Sequence, residues 1–483
     1  LKNNGNAVIL LRKFIILFFV LLLYLTGCRS LEKETAPLIP ARTIIPLPSV
    51  QKKRCDLSGD NSILYKEFRN GLRAVVIEMP RSTITYGMIS FGVGGRYEPE
   101  SRAGISHLLE HLLFKEKDGF EPVSAIRSMG GSVNAQTDYE LTTYYFTVLP
   151  EHFEDAMTAL SSMVLEPRFD GKDLASEREV VLEELARGKN DPRALVLSSL
   201  IKKVFPSSPL ANLVIGNKRS ISRITLNDLY EFHDAYYVPG NMIVACAGAI
   251  DGEQTMQFLE AIFGKLKPSP IPNISFKVPE IAVSSLTKEI PVNQAFHITG
   301  ILVPGKAGED YYEMMLLYTL LCSGVNSRLY RRIVIVEGLT EGFYPFRYSL
   351  SDTGLWAIML SISPEDIERA GQIINEEIGN IKKGLLSEHE MEIAKQALTS
   401  RLLITHDSPM DLDRFELENL AFKKDILTLQ EYIENLKAVS RHDIIMAARR
   451  HLTADNIVTV SLLPAPVQKR WFLMLKLLLT EEL

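Results

Sequence analysis

The chain has 483 residues, 46% of them hydrophobic and 23% charged, with 53 basic against 59 acidic side chains and a formal net charge of -6. That is enough apolar material for two or three globular domains, and the lack of a basic excess excludes an electrostatic footprint for nucleic acid or a polybasic membrane patch. The 4 cysteines, none in a CxxC pair, exclude a disulfide framework and a thiolate metal site.

At the start of the chain, Lys2, Arg12 and Lys13 precede the apolar run Phe14 to Leu25, which leads into Thr26-Gly27-Cys28. A basic start, an apolar stretch and small residues before a cut site make an export signal over residues 1–27; the alternative is a plain transmembrane anchor, disfavoured because the run is shorter than the roughly 20 residues of a span. The small pair ahead of a cysteine resembles the bacterial lipobox, in which the cysteine is acylated and becomes the new N-terminus. That resemblance implies lipidation of Cys28, stable anchoring through more than one acyl chain, and a place in the bacterial cell envelope. Arg29 follows where an aspartate would signal retention, which implies the outer membrane, facing the periplasm. Residues 28–60, with Pro37, Pro40, Pro46 and Pro48, read as a lipidated, extended tether.

Folded patterning begins near Ser62. Asn70-Gly71, between Ile63-Leu64-Tyr65 and Leu72 to Ile77, predicts a hairpin. Tyr86 to Phe91 reads as a strand, and the glycines at 92, 94 and 95 break the chain before a helix over Gly104 to Lys115. A second helix at Val123 to Met129 leads through Gly130-Gly131 into a hairpin with a strand at Thr142 to Leu149. Helical patterns fill Glu151 to Leu165 and Asp173 to Arg187, and Cys246 and Cys322 sit in apolar runs as core cysteines. Pro268, Pro270, Pro272 and Pro279 mark a linker. The segments either side repeat: Asp228 to Asp443 and Asn241 to Asn456 share one offset of 215 residues, across a helix signal and the strand after it. The expected fold class is α+β: two homologous domains, each a mostly antiparallel sheet with helices packed on one face. The expected boundaries are 61–265 for the first domain, 266–285 for the linker, 286–465 for the second domain and 466–483 for a C-terminal helical tail.

The chemistry centres on His107-Leu108-Leu109-Glu110-His111. On a helix, residues i and i+4 share a face with i+3 beside them, so both imidazoles can reach one metal with the carboxylate adjacent. Two neutral imidazoles suit Zn²⁺, and the order is the inverse of the commoner HExxH, the inverzincin pattern. The alternative is two surface histidines on an amphipathic helix. A catalytic zinc needs a third protein ligand and an open position. The acidic run Ser176 to Leu185 offers it: Glu177 and Glu184 lie two turns apart on one face, with Val181 between them, although on spacing alone Glu183 serves nearly as well as Glu184.

These segments resemble the pitrilysin family, which includes the insulin-degrading enzymes and the mitochondrial processing peptidases. The resemblance runs from about Ser62 to Pro464. It is carried by Gly94-Gly95-Arg96-Tyr97-Glu98, Gly104 to His111 with Phe114-Lys115, Gly130 to Ala135 with Thr137 and Thr142, and Glu177-Arg178 through Glu184. It implies a zinc endopeptidase with one zinc per chain on His107, His111 and Glu184. Glu110 is then the general base, Glu177 supports the site, and Asn134-Ala135 pairs with the backbone of an extended peptide substrate. It also marks a departure. The family often carries an arginine and a tyrosine, seven apart, in the second copy; aligned on Arg328-Leu329 and Gly338-Leu339, those places hold Val334 and Glu341, with Tyr344 and Arg347 nearby at the wrong spacing. The second domain is therefore expected to be non-catalytic, and a second family chain is expected to supply the pair in a heterodimer, with a homodimer as the alternative. The competing function is a non-catalytic or partner-dependent assembly subunit of a heterodimeric processing peptidase.

Overall fold

Where the apolar residues alternate, the chain pairs into sheets. The computed structural model describes residues 51–54, 61–189, 191–272, 284–423, 426–466 and 469–470, all in the unit Pro46–Leu483. Cys28, the export signal and the C-terminal tail beyond Arg470 lie outside the described residues. In the first half, β1 (Gln51–Arg54), β2 (Ser62–Glu67), β3 (Arg73–Glu78), β4 (Thr85–Phe91), β5 (Ser132–Thr137), β6 (Thr142–Val148) and β7 (Met242–Gly248) form a sheet in the order β1-β2-β3-β7-β4-β6-β5. Every pairing is antiparallel except β3 with β7. The β2–β3 hairpin turns at Gly71, whose φ of 88° is left-handed and costs glycine little. Residues 51–54, within the expected tether, are drawn onto β2 as an edge strand.

The second half repeats this plan. β8 (Ser284–Ile290), β9 (Ala295–Pro304), β10 (Gly342–Ser349), β11 (Thr353–Ile362) and β12 (Ile457–Pro464) take the order β10-β11-β9-β12-β8, again with one parallel pair, β12 with β8. The copies match in detail. The helix before β7 opens with a capping box between Thr225 and Asp228, and the helix before β12 with one between Ser440 and Asp443. Each helix end is then bridged alike, by Asn241 Nδ2 to the Tyr236 carbonyl and by Asn456 Nδ2 to the His451 carbonyl, both at 2.9 Å.

The longer helices are α1 (Ile105–Leu113), α2 (Pro122–Ser128), α3 (Phe153–Leu165), α4 (Gly171–Lys189), α5 (Pro192–Val204), α6 (Leu226–Tyr236), α7 (Gly252–Phe263), α8 (Tyr311–Cys322), α9 (Ile367–Lys382), α10 (Glu388–Thr405), α11 (Pro409–Glu418), α12 (Leu429–Ala438) and α13 (Arg441–His451). On the first sheet, Leu64, Ala74, Val76 and Ile89 face the core under α1, α3, α6 and α7. On the second, Trp356, Ile358 and Leu360 face the core under α8, α9 and α13. Cys246 and Cys322 are both buried in these cores.

Each sheet's other face is covered by a helix from the opposite half, a feature the sequence pattern does not announce. Ile63, Val75, Ile77, Met88 and Ala245 of the first sheet pack against Leu412 and Leu417 of α11. Reciprocally, Leu195, Val196 and Leu200 of α5 pack on Ile298, Leu355, Ala357 and Val458 of the second sheet. Both helices start alike, with a capping side chain before a proline at the first helical position: Asp191 before Pro192 and Ser408 before Pro409.

A polar knot ties the halves at the loop before β6. Arg96 Nη1 lies 2.5 Å from Glu140 Oε1, with both side chains under 5% exposed. Arg96 Nη2 reaches Asp352 Oδ2 at 2.6 Å, and the Ser351 amide and hydroxyl both donate to the Glu140 carboxylate, at 2.7 and 2.6 Å. Asp352 is 40% exposed, so its pairing is screened where that of Glu140 is not. Glu140→Ala should therefore lower the unfolding free energy by about 3 kcal/mol, while Asp352→Asn should cost about 1 kcal/mol or less. Urea denaturation of the two variants against the parent checks the order; equal losses would show that burial does not set the strength of the knot.

Candidate metal centre

The apolar residues of α1 repeat at helical spacing. Ile105, Leu108, Leu109 and Leu112 are buried against the first sheet, which turns His107, Glu110 and His111 to the half-buried side. The helix begins at Gly104, whose φ of 91° and tight approach to the Ile215 carbonyl leave no room for a side chain. With no cap available from that residue, Glu98 reaches in from outside. Its two oxygens accept the Gly104 amide at 2.6 Å and the Ser106 amide at 2.8 Å. Burial pushes the Glu98 carboxyl up to about 7 against the pull of those two bonds.

Across from α1, the long helix α4 presents Glu177, Val181 and Glu184 on one face. Val181 is fully buried in the first core and so sets the rotation of the helix. Arg178 fastens it by donating to the Ile221 and Ile224 carbonyls at 3.1 and 2.6 Å. The result is convergence: one donor atom each from His107, His111 and Glu184 lie within 4.8 Å of one another. Glu184 Oε2 is 4.0 Å from His107 Nε2 and 3.9 Å from His111 Nε2. Zinc–ligand bonds of about 2.0–2.1 Å in tetrahedral array separate donors by roughly 3.4 Å, so this group needs only slight closure to hold such an ion. Glu183 is exposed and does not join this group.

The surroundings suit those donors. Burial, then the neighbouring His111, lowers the His107 pKa to about 4, so its imidazole is neutral and able to ligate at neutral pH. Glu177 Oε2 lies 3.2 Å from His111 Nδ1. A carboxylate only accepts, so His111 donates from Nδ1 and turns the Nε2 lone pair toward the site. Burial acts to raise the Glu177 pKa, but Lys115, at 2.8 Å from Oε1, and His111 outweigh it and hold the group ionised below its ordinary value. His107 has no comparable acceptor at Nδ1 among the described residues.

Glu110 sits beside the three donors with the opposite bias. Burial raises its pKa, although the Thr137 hydroxyl donates a short hydrogen bond to its Oε2. Thr137 is the last residue of β5, the terminal strand of the sheet, with one edge unpaired among the described strands. Asn134 is exposed on that strand and Ala135 half-buried, and the Asn134 Oδ1 accepts the Ala135 amide at 2.9 Å. The structure thus places Asn134 and Ala135 on the edge strand whose end grips Glu110. The elements named for the missing pair lie in the second half: Val334 is half-buried and Glu341 exposed just before β10. Arg347 is turned onto Met315 and the Tyr318 ring, and Tyr344 stands over Arg193 of α5.

Three residues carry parts that the sequence reading gave no role: Glu98 as the cap of α1, Thr137 as the grip on Glu110, and Lys115 as the counter-charge of Glu177. The spacing of Lys115, one helical turn beyond His111, is the only one of these signals readable in sequence.

Comparison with known proteins supports this reading of the fold. The family profile described as insulinase, peptidase family M16, matches residues 73–218, and that described as the peptidase M16 inactive domain matches residues 223–398. A zinc protease of Mycobacterium leprae, described as uncharacterized, is 29% identical over 363 residues, 73% of this chain and 81% of its own. A similarly described zinc protease of Bacillus subtilis, YmxG, is 26% identical over 390 residues, 80% of this chain and 95% of its own. The crystal structure of a protease from Helicobacter pylori superposes with a TM-score of 0.78 at 22% identity, covering 83% of this chain and 99% of that one. The peptidase M16 inactive domain from Pseudomonas fluorescens superposes with a TM-score of 0.77 at 20% identity, over 84% of this chain and 99% of that one. With both halves of the family matched in order along one chain, and the fold shared over four fifths of it, this protein belongs to the insulinase, or pitrilysin, family of M16 peptidases.

Proposed function

We propose that the chain is a zinc metalloendopeptidase that cleaves unstructured peptides or precursor segments, with one zinc held by His107, His111 and Glu184. The observation that carries this is the convergence of those three donors with Glu110 beside them. Zinc bound there would supply a Lewis acid for the scissile carbonyl and for a water. Glu177 keeps His111 in the ligating tautomer, and Lys115 keeps Glu177 ionised. The edge of β5 takes an extended peptide as an added strand, and the peptide displaces the Asn134 side chain from the Ala135 amide. Glu110 accepts a proton from the attacking water and returns it to the leaving amine. Thr137 fixes the plane of that carboxylate, so occupation of the strand and alignment of the base share one residue.

The second half has no counterpart of this donor group among the described residues. At the two places where the family often supplies an arginine and a tyrosine stand Val334 and Glu341, and a carboxylate beside a developing oxyanion opposes the transition state. This favours a heterodimer in which a second family chain supplies the pair, with the partner-dependent assembly subunit as the second reading. Cys28, carrying lipid, would hold the pair at the outer membrane facing the periplasm. Among the described residues no helix is long and apolar enough to cross a membrane.

Metal analysis of the purified chain should find close to one zinc, with large loss in His107→Ala, His111→Ala and Glu184→Gln. Full occupancy in all three ends the zinc assignment, and loss in Glu183→Gln alone moves the third ligand.

Glu110→Gln should keep its zinc yet lose about a hundredfold to ten-thousandfold of peptide cleavage, as removal of a general base does. Thr137→Val should lower kcat with little change in KM, and Thr137→Ser should recover most of it. Parental turnover in the Glu110 variant would place the base elsewhere.

The chain alone should bind zinc and cleave poorly, and a partner chain bearing the arginine and tyrosine should raise the rate. Full activity from the isolated chain, unaffected by changes at Tyr344 and Arg347, would sink the partner proposal.

Cys28→Ser should move the protein from the membrane fraction to the soluble one or stall it uncleaved. Unchanged mass and fractionation would refute lipidation.

A further inference from the structure

The second half holds a cluster of cations that the peptidase reading leaves unused. Lys306, Arg347 of β10 and Lys423, which closes the helical turn Asn419–Lys423, line a cavity of about 150 Å³ walled by Tyr311, Phe415 and Tyr432. Lys306 has a carboxylate, Glu418, at 2.7 Å. Among the described residues, neither Lys423 nor Arg347 has one. Lys423 Nζ stands instead 4.1 Å from the centroid of the Tyr311 ring, 4.9 Å from Tyr312 and 5.4 Å from Tyr432. That cage is held in shape by its own bonds, Tyr432 to Tyr311 at 3.3 Å and Asn435 to Tyr312 at 3.2 Å. Arg347 lies over the Tyr318 ring and donates to the Met315 sulfur, a weak neutral acceptor. Arg347 is exposed on its other side, whereas Lys423 is half-buried, and there the ring faces offset part of the cost of removing a cation from water without compensating its charge. The Lys423 ammonium registers this: burial, then repulsion from Lys306, lowers its pKa to about 8.

We propose that this cavity binds the phosphate group of a small anion, with Lys423 and Arg347 as its direct partners and Lys306 as a supporting charge. Several features select that chemistry. The three cations come from separate elements and converge on one cavity, Arg347 from its solvent-exposed side. The guanidinium fork matches the edge of a phosphate, and lysine serves as the point charge beside it. A phosphate carries close to two charges at neutral pH, which balances two free cations where a single carboxylate balances one. The volume admits an oxyanion group and excludes a folded polymer. The aromatic wall lowers the local dielectric and so strengthens each charge-assisted bond. Among the described residues, the Met315 sulfur is the one hydrogen-bond acceptor that a bound oxyanion would have to replace at Arg347. The phosphate can come free in solution or on a lipid headgroup, and the two sources are separable.

The test is titration of the purified chain with inorganic pyrophosphate in a calorimeter at low salt. Saturable binding to one site is expected, weakened about tenfold or more in Lys423→Met and in Arg347→Met, since each removes a charged hydrogen-bonding partner. Amine acylation of the unmodified chain, read residue by residue by mass spectrometry, supplies a check that needs no variant: pyrophosphate should protect Lys423. Protection by phosphatidic acid vesicles and not by phosphatidylcholine vesicles would assign the headgroup as source; protection by pyrophosphate alone would assign the soluble anion. Acylation of Lys423 unchanged by either probe, or pyrophosphate binding undiminished in the Lys423 and Arg347 double variant, overturns the proposal.

Discussion

The burial of Arg96 against Glu140 is the constraint on which the rest of the site rests. The segment Gly94 to Glu98 is laid onto the loop before β6, with the Gly95 amide donating to the Asp138 carbonyl at 3.1 Å and the Arg96 amide to the Tyr139 carbonyl at 2.8 Å. A side chain at residue 94 would strike the Asp138 carbonyl, so glycine is required there. From this one segment the chain does two things. Arg96 binds the opposite half through Glu140 and Asp352, and two residues later Glu98 caps α1 from its side chain. The helix bearing both histidines is thus positioned by the same few residues that hold the halves together. The loop that receives Arg96 begins directly after Thr137, which grips Glu110.

Within the site, two glutamates near the same pair of histidines are driven in opposite directions by their surroundings. Glu110 is raised by burial, and the only side-chain bond it receives in the described structure is the Thr137 hydroxyl. Glu177 is also penalised by burial, yet an ammonium and an imidazole keep it ionised. A carboxylate suited to exchanging a proton and one suited to holding a fixed charge are made from the same residue type, and the difference lies in their surroundings: a hydroxyl beside Glu110, Lys115 and the His111 ring beside Glu177.

Much of this was readable in the residues themselves. The motif His107 to His111 carries its own helix, because Leu108, Leu109 and Leu112 bury one face and leave the donors on the other. The duplicated plan was visible in Asp228 and Asp443 and in Asn241 and Asn456, which cap and bridge matching helices. The choice of Glu184 over Glu183 was not readable by spacing, since one residue is only 100° of helix; it depends on Val181 being pulled into the core. Nor was the partner of Arg96 readable, because Glu140 and Asp352 are brought to it by long-range pairing. The same holds for the cover on each sheet's second face. The strands of the first sheet are apolar on both sides, which shows that something must pack there, but not that it comes from α11.

That cover has a consequence during synthesis. The first sheet is complete in sequence once β7 ends at Gly248, but the helix that shields its second face starts at Pro409, about 160 residues later. At translation speeds of about 5–20 residues per second, the wait is on the order of ten to thirty seconds. Throughout it, Ile63, Val75, Ile77 and Met88, all fully buried in the finished protein, have nothing to lie against. A product ending in the linker would lack the helix that covers this apolar face. The two copies thus complete one another's packing, even though among the described residues the converging His107, His111 and Glu184 belong to the first alone.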